Sequence, residues 1–290
     1  MLPVRARADD PADALAAVDV LPLVGLRPPL PAYLRQLWAR RAFCLLLALS
    51  RVRAENDRDR LGPAWVVLKP LVNAVVYGAV FGLLLSAGSR PDDFVPFLVT
   101  GVFVFTYLAS CLTDGAASVT GSADLVRSLR FPRAVLPLAV VVQRTVGLGA
   151  MTAVLLVVVV ASGEPARASW LLVVPALALA TLFAAGTALA AARLTVHVRD
   201  LAHLLPFLTR LLFYVSGIFY ALDRVITDPR ALALLELNPA HVYITLVRGA
   251  LLTGTTATPE TWLLGVVWVL AVLPVGLVLF WQAEQEYGRD

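Results

Sequence analysis

Six apolar stretches divide this chain, over residues 65–85, 94–113, 134–161, 170–192, 204–222 and 261–281. Each is about 20 residues or longer, and at 1.5 Å of rise per residue a helix of that length matches the roughly 30 Å hydrocarbon core of a bilayer. A mean hydropathy of +0.80, with 59% hydrophobic and only 15% charged residues, excludes a soluble domain of 290 residues. The expected fold class is therefore all-α and integral to a membrane, with six transmembrane helices. Glycines and prolines inside the stretches, among them Gly101, Gly186, Pro206 and Pro274, favour close helix packing and kinks.

The basic residues are sorted to one side of these spans. With the N-terminus inside, the inner segments hold 17 of the 24 Lys and Arg residues. By the positive-inside rule both termini are then cytoplasmic, and the expected location is a bacterial inner membrane, crossed several times. The net charge of +4 comes mostly from the first 69 residues, and a basic arm lying on anionic lipid needs no nucleic acid as a partner. Cys44 and Cys111 sit in apolar surroundings and are expected to pack as small hydrophobes, without a disulfide. Residues 1–31 contain no secretory apolar region and are expected to form a mobile tail.

From Pro31 onward, Leu34, Leu37, Trp38 and Phe43 fall at helical spacing with Arg35, Arg40 and Arg41 between them. That is the pattern of an amphipathic helix lying in the membrane interface. Residues 51–60 are almost wholly charged and belong in water or against a partner protein. Together 32–60 form an interface helix and connector ahead of a six-span domain at 61–290. Between the second and third spans, Ser122 is placed to N-cap a short inner helix at about 122–130. Leu125, Val126 and Leu129 lie on its apolar face, and Arg127 and Arg130 lie near its end before Pro132. A short helix of this kind, projecting into the cytoplasm, needs a surface to dock on. Arg199 and Asp200 tip a second inner loop. Arg144 falls within the third stretch, and an arginine at a lipid-facing helix centre costs about 2.5–3.5 kcal/mol on insertion scales, so either it faces the protein interior or the helix begins below the membrane. The outer stretch 222–259 holds apolar runs at 231–237 and 243–252, broken at Asn238-Pro239. Both are too short to cross, and they are expected to be short re-entrant helices at the outer mouth.

No catalytic constellation is present. Nucleotide hydrolysis by a P-loop needs a Gly-rich turn ending in Lys-Ser or Lys-Thr, but the single lysine, Lys69, is followed by Pro70. Asp57-Arg58-Asp59 has a form that can hold a divalent cation, but it is embedded in alternating charges. Asp114-Gly115-Ala116-Ala117 begins like a metal-dependent lipid-transferase motif whose later aspartates are missing. His197, His203 and His241 form no i, i+4 pair with a carboxylate. Neither a metal site nor a cofactor is expected in this chain.

Four motifs in order carry a resemblance. They are Leu61-Gly62-Pro63-Ala64-Trp65 with Pro70-Leu71, Phe131-Pro132-Arg133 with Leu136-Pro137, Arg199-Asp200-Leu201, and Asn238-Pro239 with Arg248. Over about residues 32–282 the chain resembles the ABC-2 type permeases of the polysaccharide, O-antigen and teichoic-acid exporter family. The resemblance implies a homodimer of six-span subunits, each bound to a separate cytoplasmic ATPase that holds the ATP and Mg, so this chain is a permease and not an enzyme. By position it implies that 122–130 is the coupling helix, with Asp124, Leu125, Val126, Arg127, Leu129, Arg130, Arg199 and Asp200 as ATPase-coupling residues. It also implies a path lined by aromatic rings on which sugars stack, with Tyr77, Phe103, Phe105, Tyr107, Phe213, Tyr214, Phe219 and Tyr220 as candidates. Arg58 and Arg60 would meet the headgroup of a lipid-linked substrate, although Glu55-Asn56-Asp57-Arg58-Asp59-Arg60 is more acidic than the family's usual run. The expected function is ATP-driven export of a lipid-linked polysaccharide such as O-antigen, galactan or a teichoic-acid-like polymer. The alternative is an ABC-2 permease exporting a small hydrophobic drug or antibiotic. A lipid transferase would need a carboxylate cluster at the inner mouth, which the expected spans lack.

Overall fold

A computed structural model describes residues 28–56, 61–62, 64–84, 93–129 and 131–284. Arg58, Arg60 and Arg130, and residues 1–27 of the expected tail, lie outside the described residues. Among the described residues there is no strand. The helices are α1 (Leu30–Ala39), α2 (Arg41–Asn56), α3 (Ala64–Leu84), α4 (Phe94–Ala117), α5 (Ala123–Ser128), α6 (Val135–Ala161), α7 (Val173–His197), α8 (Leu201–Val215), α9 (Leu222–Val225), α10 (Pro229–Glu236), α11 (Pro239–Leu251) and α12 (Pro259–Gln282).

Four of these, α4, α6, α7 with the tight turn Ala168–Leu172 leading into it, and α12, are long and apolar enough to cross a membrane, while α3 and α8 are further apolar helices. The central helix is α4, which packs against α3, α6, α7, α8 and α11. The tightest pairing is between α7 and α12, where a methyl group at Gly276 would fall on the backbone carbonyl of Gly186. Small residues at such a crossing let backbones approach until van der Waals contact holds them together, the main attraction available between helices in lipid. A second, smaller core gathers Tyr33, Val119, Ala134, Leu189, Phe280 and Ala283. It marks the end of the bundle that carries α5, while α9, α10 and α11 lie at the opposite end.

Several boundaries differ from those expected, each for a local reason. The single interface helix is two helices that break at Arg40, whose N–H turns back to the carbonyls of Gln36 and Leu37. Helix α2 then continues through Arg51 and Glu55 into the charged run, because both side chains find partners on neighbouring elements. The second apolar helix extends past Thr113 and so carries Asp114, whose carboxylate meets Arg144 at 2.8 Å. The fifth is shorter than the expected 204–222. It stops at Val215, and with 15 residues it is about 22 Å long. Gly217 ends it in the left-handed region at φ 66°, a backbone state that an L side chain would strain. Ser122 precedes α5, but its hydroxyl makes no cap bond there. Instead it accepts from Arg51 Nη2 at 3.0 Å.

Candidate functional site

Three sites are built on this frame, the first at the α5 end. Asp124, Arg127 and Leu129 are exposed on α5 and just beyond it, whereas Leu125 and Val126 are half-buried and pack on the smaller core. Arg199 and Asp200 are exposed in the turn between α7 and α8, at this same end. The segment carrying α5 is held on both flanks by the N-terminal helices. Before it, Arg51 of α2 donates to Ser122. After it, the Tyr33 hydroxyl of α1 accepts from the Ala134 N–H at 3.3 Å and donates to Glu284 Oε2 at 2.8 Å. Glu284 Oε1 accepts the Arg133 N–H at 2.9 Å, and the Arg133 guanidinium donates to the Glu284 carbonyl. Burial pushes the Glu284 carboxyl above its ordinary value, while the Arg133 N–H, the Tyr33 hydroxyl and the Arg133 charge hold the rise back. The rings of Phe43 and Phe131 meet edge to face at 5.2 Å.

The second site is a cavity of about 860 Å3 among α2, α3, α4 and α6. Arg144 crosses its polar side, with Nε on Asp114 at 2.8 Å and Nη2 on Glu55 at 3.1 Å. The arginine that composition placed in an apolar stretch thus faces the interior and is neutralised by two carboxylates from neighbouring elements. Lys69, Gln143 and Tyr107 also line this space.

The aromatic candidates divide into groups. Tyr77, Phe105, Phe213, Tyr214 and Phe219 form one cluster, with Phe213 5.2 Å from Tyr77, 5.1 Å from Phe105 and 5.1 Å from Phe219. Tyr214 closes the group 6.0 Å from Phe219. Tyr220 donates to the Tyr214 carbonyl but lines a separate cavity of about 290 Å3 at the opposite end, beside Asp93, Glu236 and His241. Phe103 is buried in the main core, as are Phe105 and Phe219 of the cluster. Tyr107 is also buried, and its hydroxyl bonds Thr145 and Thr181, each at 3.0 Å.

The third site, at the end opposite α5, turns on Arg248. Sequence position placed this arginine in an outer segment, but the structure buries it completely within the protein. Its Nε and Nη2 donate to the Phe97 carbonyl at 3.1 and 2.9 Å, Nη1 to the Gly217 carbonyl at 2.9 Å and Nη2 also to the Ile218 carbonyl at 3.0 Å. The guanidinium carbon lies 3.3 Å from the centroid of the Phe97 ring. One side chain therefore collects the carbonyls freed where α8 stops, and it ties them to the start of α4. Asn238 caps α11 by accepting the Ala240 N–H at 3.0 Å and donates to Ser216 at 2.9 Å. Pro239 follows at the first helical position, where no N–H is needed. The Asn-Pro pair and Arg248 thus act on the same turn. Tyr33, Glu284, Glu55, Asp114 and Gln143 were not singled out from sequence as site residues.

A family model described as ABC-2 type transporter matches residues 45–252, from within α2 to just past α11. The chain belongs to the ABC-2 type transporter family. Similar proteins within it include two from Klebsiella pneumoniae named O-antigen export system permease protein RfbA. They are 27% and 26% identical over 186 residues, which is 63% of this chain and 71% of each relative. A protein of the same name from Myxococcus xanthus is 25% identical over 252 residues, 86% of this chain and 93% of its own length. As an ABC-2 membrane domain the chain is a transporter component, in keeping with its apolar helices. The ABC-2 match covers α5, the aromatic cluster and Arg248, and leaves α1 and α12 outside it.

Proposed function

We propose that this chain is the permease subunit of an ATP-driven exporter that moves a lipid-linked polysaccharide of the O-antigen type across the bacterial inner membrane. The observation that carries this reading is the match along 93% of a relative named as an O-antigen export permease. In this reading six helices, α3, α4, α6, α7, α8 and α12, cross the bilayer with both termini in the cytoplasm. Helices α1 and α2 lie in the interface, and α9, α10 and α11 form the outer re-entrant segment. Two copies assemble, each with a separate ATPase subunit. The homodimer is supported by α8, which exposes Leu204, Phe207, Leu208 and Leu211 along one side. Docking of α5 on the ATPase is supported by the exposure of Asp124, Arg127 and Leu129. Passage of sugars is supported by Tyr77, Phe213 and Tyr214, the open members of the aromatic cluster, since aromatic faces pack against the apolar CH faces of sugar rings.

The test is depletion of the protein in its own host. Loss of polysaccharide from the cell surface, with lipid-linked glycan accumulating inside, is the expected result. Unchanged surface polysaccharide together with new sensitivity to a hydrophobic toxin would overturn the reading in favour of a small-molecule exporter.

A further inference from the structure

We infer that Arg210, with the hydroxyls of Tyr77 and Tyr214, binds a carboxylate carried by the sugar units of the cargo, so that the exported polymer is an acidic polysaccharide. The inference rests on the export reading and names the class of substrate for it. Its basis is a polar level set inside two apolar helices. On α8, Arg210 stands four residues before Tyr214, and on α3, Asn73 stands four residues before Tyr77. Residues four apart lie on the same face of a helix, one turn from each other. The two tyrosines meet in the aromatic cluster, where the Tyr77 hydroxyl is close to that of Tyr214 and to the Arg210 charge. Arg210 and Asn73 therefore both lie about one turn from that meeting point, on the side toward the α5 end.

The charge at this level is not neutralised. Arg210, Asn73 and Tyr214 are exposed, and no hydrogen bond or ion pair holds Arg210 or Asn73 among the described residues. Neither α3 nor α8 contains an aspartate or glutamate, and the carboxylate of α4, Asp114, is taken by Arg144. Arg210 is the tenth residue of α8, about 13 Å from its start, close to the middle of a hydrocarbon core of roughly 30 Å. A guanidinium at that depth is costly against lipid, and intramembrane charges as a rule face a bundle interior or a water-filled cavity and mark the path of a substrate. Arg210 also stands apart from the apolar stripe of Leu204, Phe207, Leu208 and Leu211, roughly a third of a turn round the helix, between that stripe and Phe213.

The surroundings select the ligand. A neutral glycan needs ring faces and hydroxyl partners, and an uncompensated guanidinium beside them gives it nothing more. A sugar that lays its CH face on Tyr77 or Tyr214 and carries a carboxylate on the same ring meets the guanidinium about one turn away, in the paired geometry that the two planar groups favour. The tyrosine hydroxyls supply a neutral donor to the same group. A diphosphate offers the anion without a CH face, so the combination of open aromatic surface and fixed cation fits an acidic sugar better.

The test uses the full-length chain in lipid nanodiscs, with Cys44 and Cys111 replaced by alanine and Asn73→Cys as the reporter. Rates of modification by an anionic and a cationic methanethiosulfonate of similar size are compared. The anionic reagent should react faster, and the ratio of the two rates should fall about ten-fold in Arg210→Gln and recover in Arg210→Lys. Hexagalacturonate should protect the thiol, an effect lost in Arg210→Gln, whereas maltohexaose and inorganic pyrophosphate should not. A ratio unmoved by Arg210→Gln, a thiol that neither reagent reaches, or equal protection by maltohexaose overturns the inference. Protection by pyrophosphate equal to that by hexagalacturonate overturns the assignment to an acidic sugar. These readouts need neither ATPase nor transport, so they hold or fail separately from the depletion experiment that tests export.

Discussion

Arg248 shows how one residue can decide the course of the chain around it. A guanidinium is costly to bury, yet here three backbone carbonyls and an aromatic face replace its water. The Gly217 and Ile218 carbonyls would otherwise be unsatisfied just past the end of α8. Arg248→Met keeps most of the volume but leaves the carbonyls of Gly217 and Ile218 without this donor, a loss of about 3 kcal/mol. The melting temperature of the purified chain should fall by about 6–12 °C. Arg248→Lys should recover only part of this, because an ammonium cannot fork to three acceptors set around a planar group. Glu284 behaves differently, since burial disfavours its charged form. When the C-terminal segment undocks, the carboxyl returns to its ordinary value. Docking is therefore fully favoured below that value and weakens as pH rises from there through the raised docked value. Hydrogen exchange of α1 and the residues around Arg133 should accordingly quicken over this window. Glu284→Gln should flatten the dependence, since it still accepts from the Arg133 N–H, and Glu284→Ala should give fast exchange at every pH.

At the scale of elements, α5 separates two roles that its sequence pattern merges. Leu125, Val126 and Leu129 fall on one helical stripe, and period alone does not say whether a stripe seals the chain's own core or awaits a partner. The structure half-buries the first two on the Tyr33–Ala134 cluster, while Leu129 stays 50% exposed. Leu125→Asp should therefore lower the melting temperature of the isolated chain. On the export reading, Leu129→Asp and Arg127→Glu should leave melting unchanged but loosen the link between ATP hydrolysis and transport in the complex. A melting loss for Leu129→Asp equal to that for Leu125→Asp would refute this division. Helix existence was legible because the apolar runs are long, and the runs near 94, 134 and 261 start within two residues of their helices. Helix ends were not, where they depend on distant partners. The stop at Val215 needs Arg248, which bonds the following turn from 30 and 31 positions away, and the extension of α4 to Asp114 needs Arg144. The Tyr33–Glu284 bond joins residues 251 positions apart, beyond the reach of any local periodicity. The aromatic candidates were chosen by residue type, which could not separate the more open Tyr77, Phe213 and Tyr214 from Phe103, Phe105, Tyr107 and Phe219 in the core.

For the whole molecule, the question is what covers the flank formed by α8. Helices α4 and α7 have neighbours on several sides, and their buried faces are continuous with the main core. Helix α8 contains no buried residue, and Leu211 is 61% and Phe207 71% exposed. A helix of about 22 Å falls short of the roughly 30 Å hydrocarbon core. Lying against lipid alone it would leave a mismatch, whereas against a second copy its short length is shielded by protein and opens a polar approach at either end. The aromatic cluster is anchored on this helix through Phe213 and Tyr214, so a second copy would bring two such clusters toward each other. With Cys44 and Cys111 replaced by alanine, Leu211→Cys should form a disulfide-linked dimer in native membranes on mild oxidation. Leu171→Cys should not, because that position is equally open, at 76% exposure, but lies in the turn before α7. Equal cross-linking at both positions would mean random collision in the bilayer, and none at Leu211 would mean that lipid, not a second subunit, faces α8.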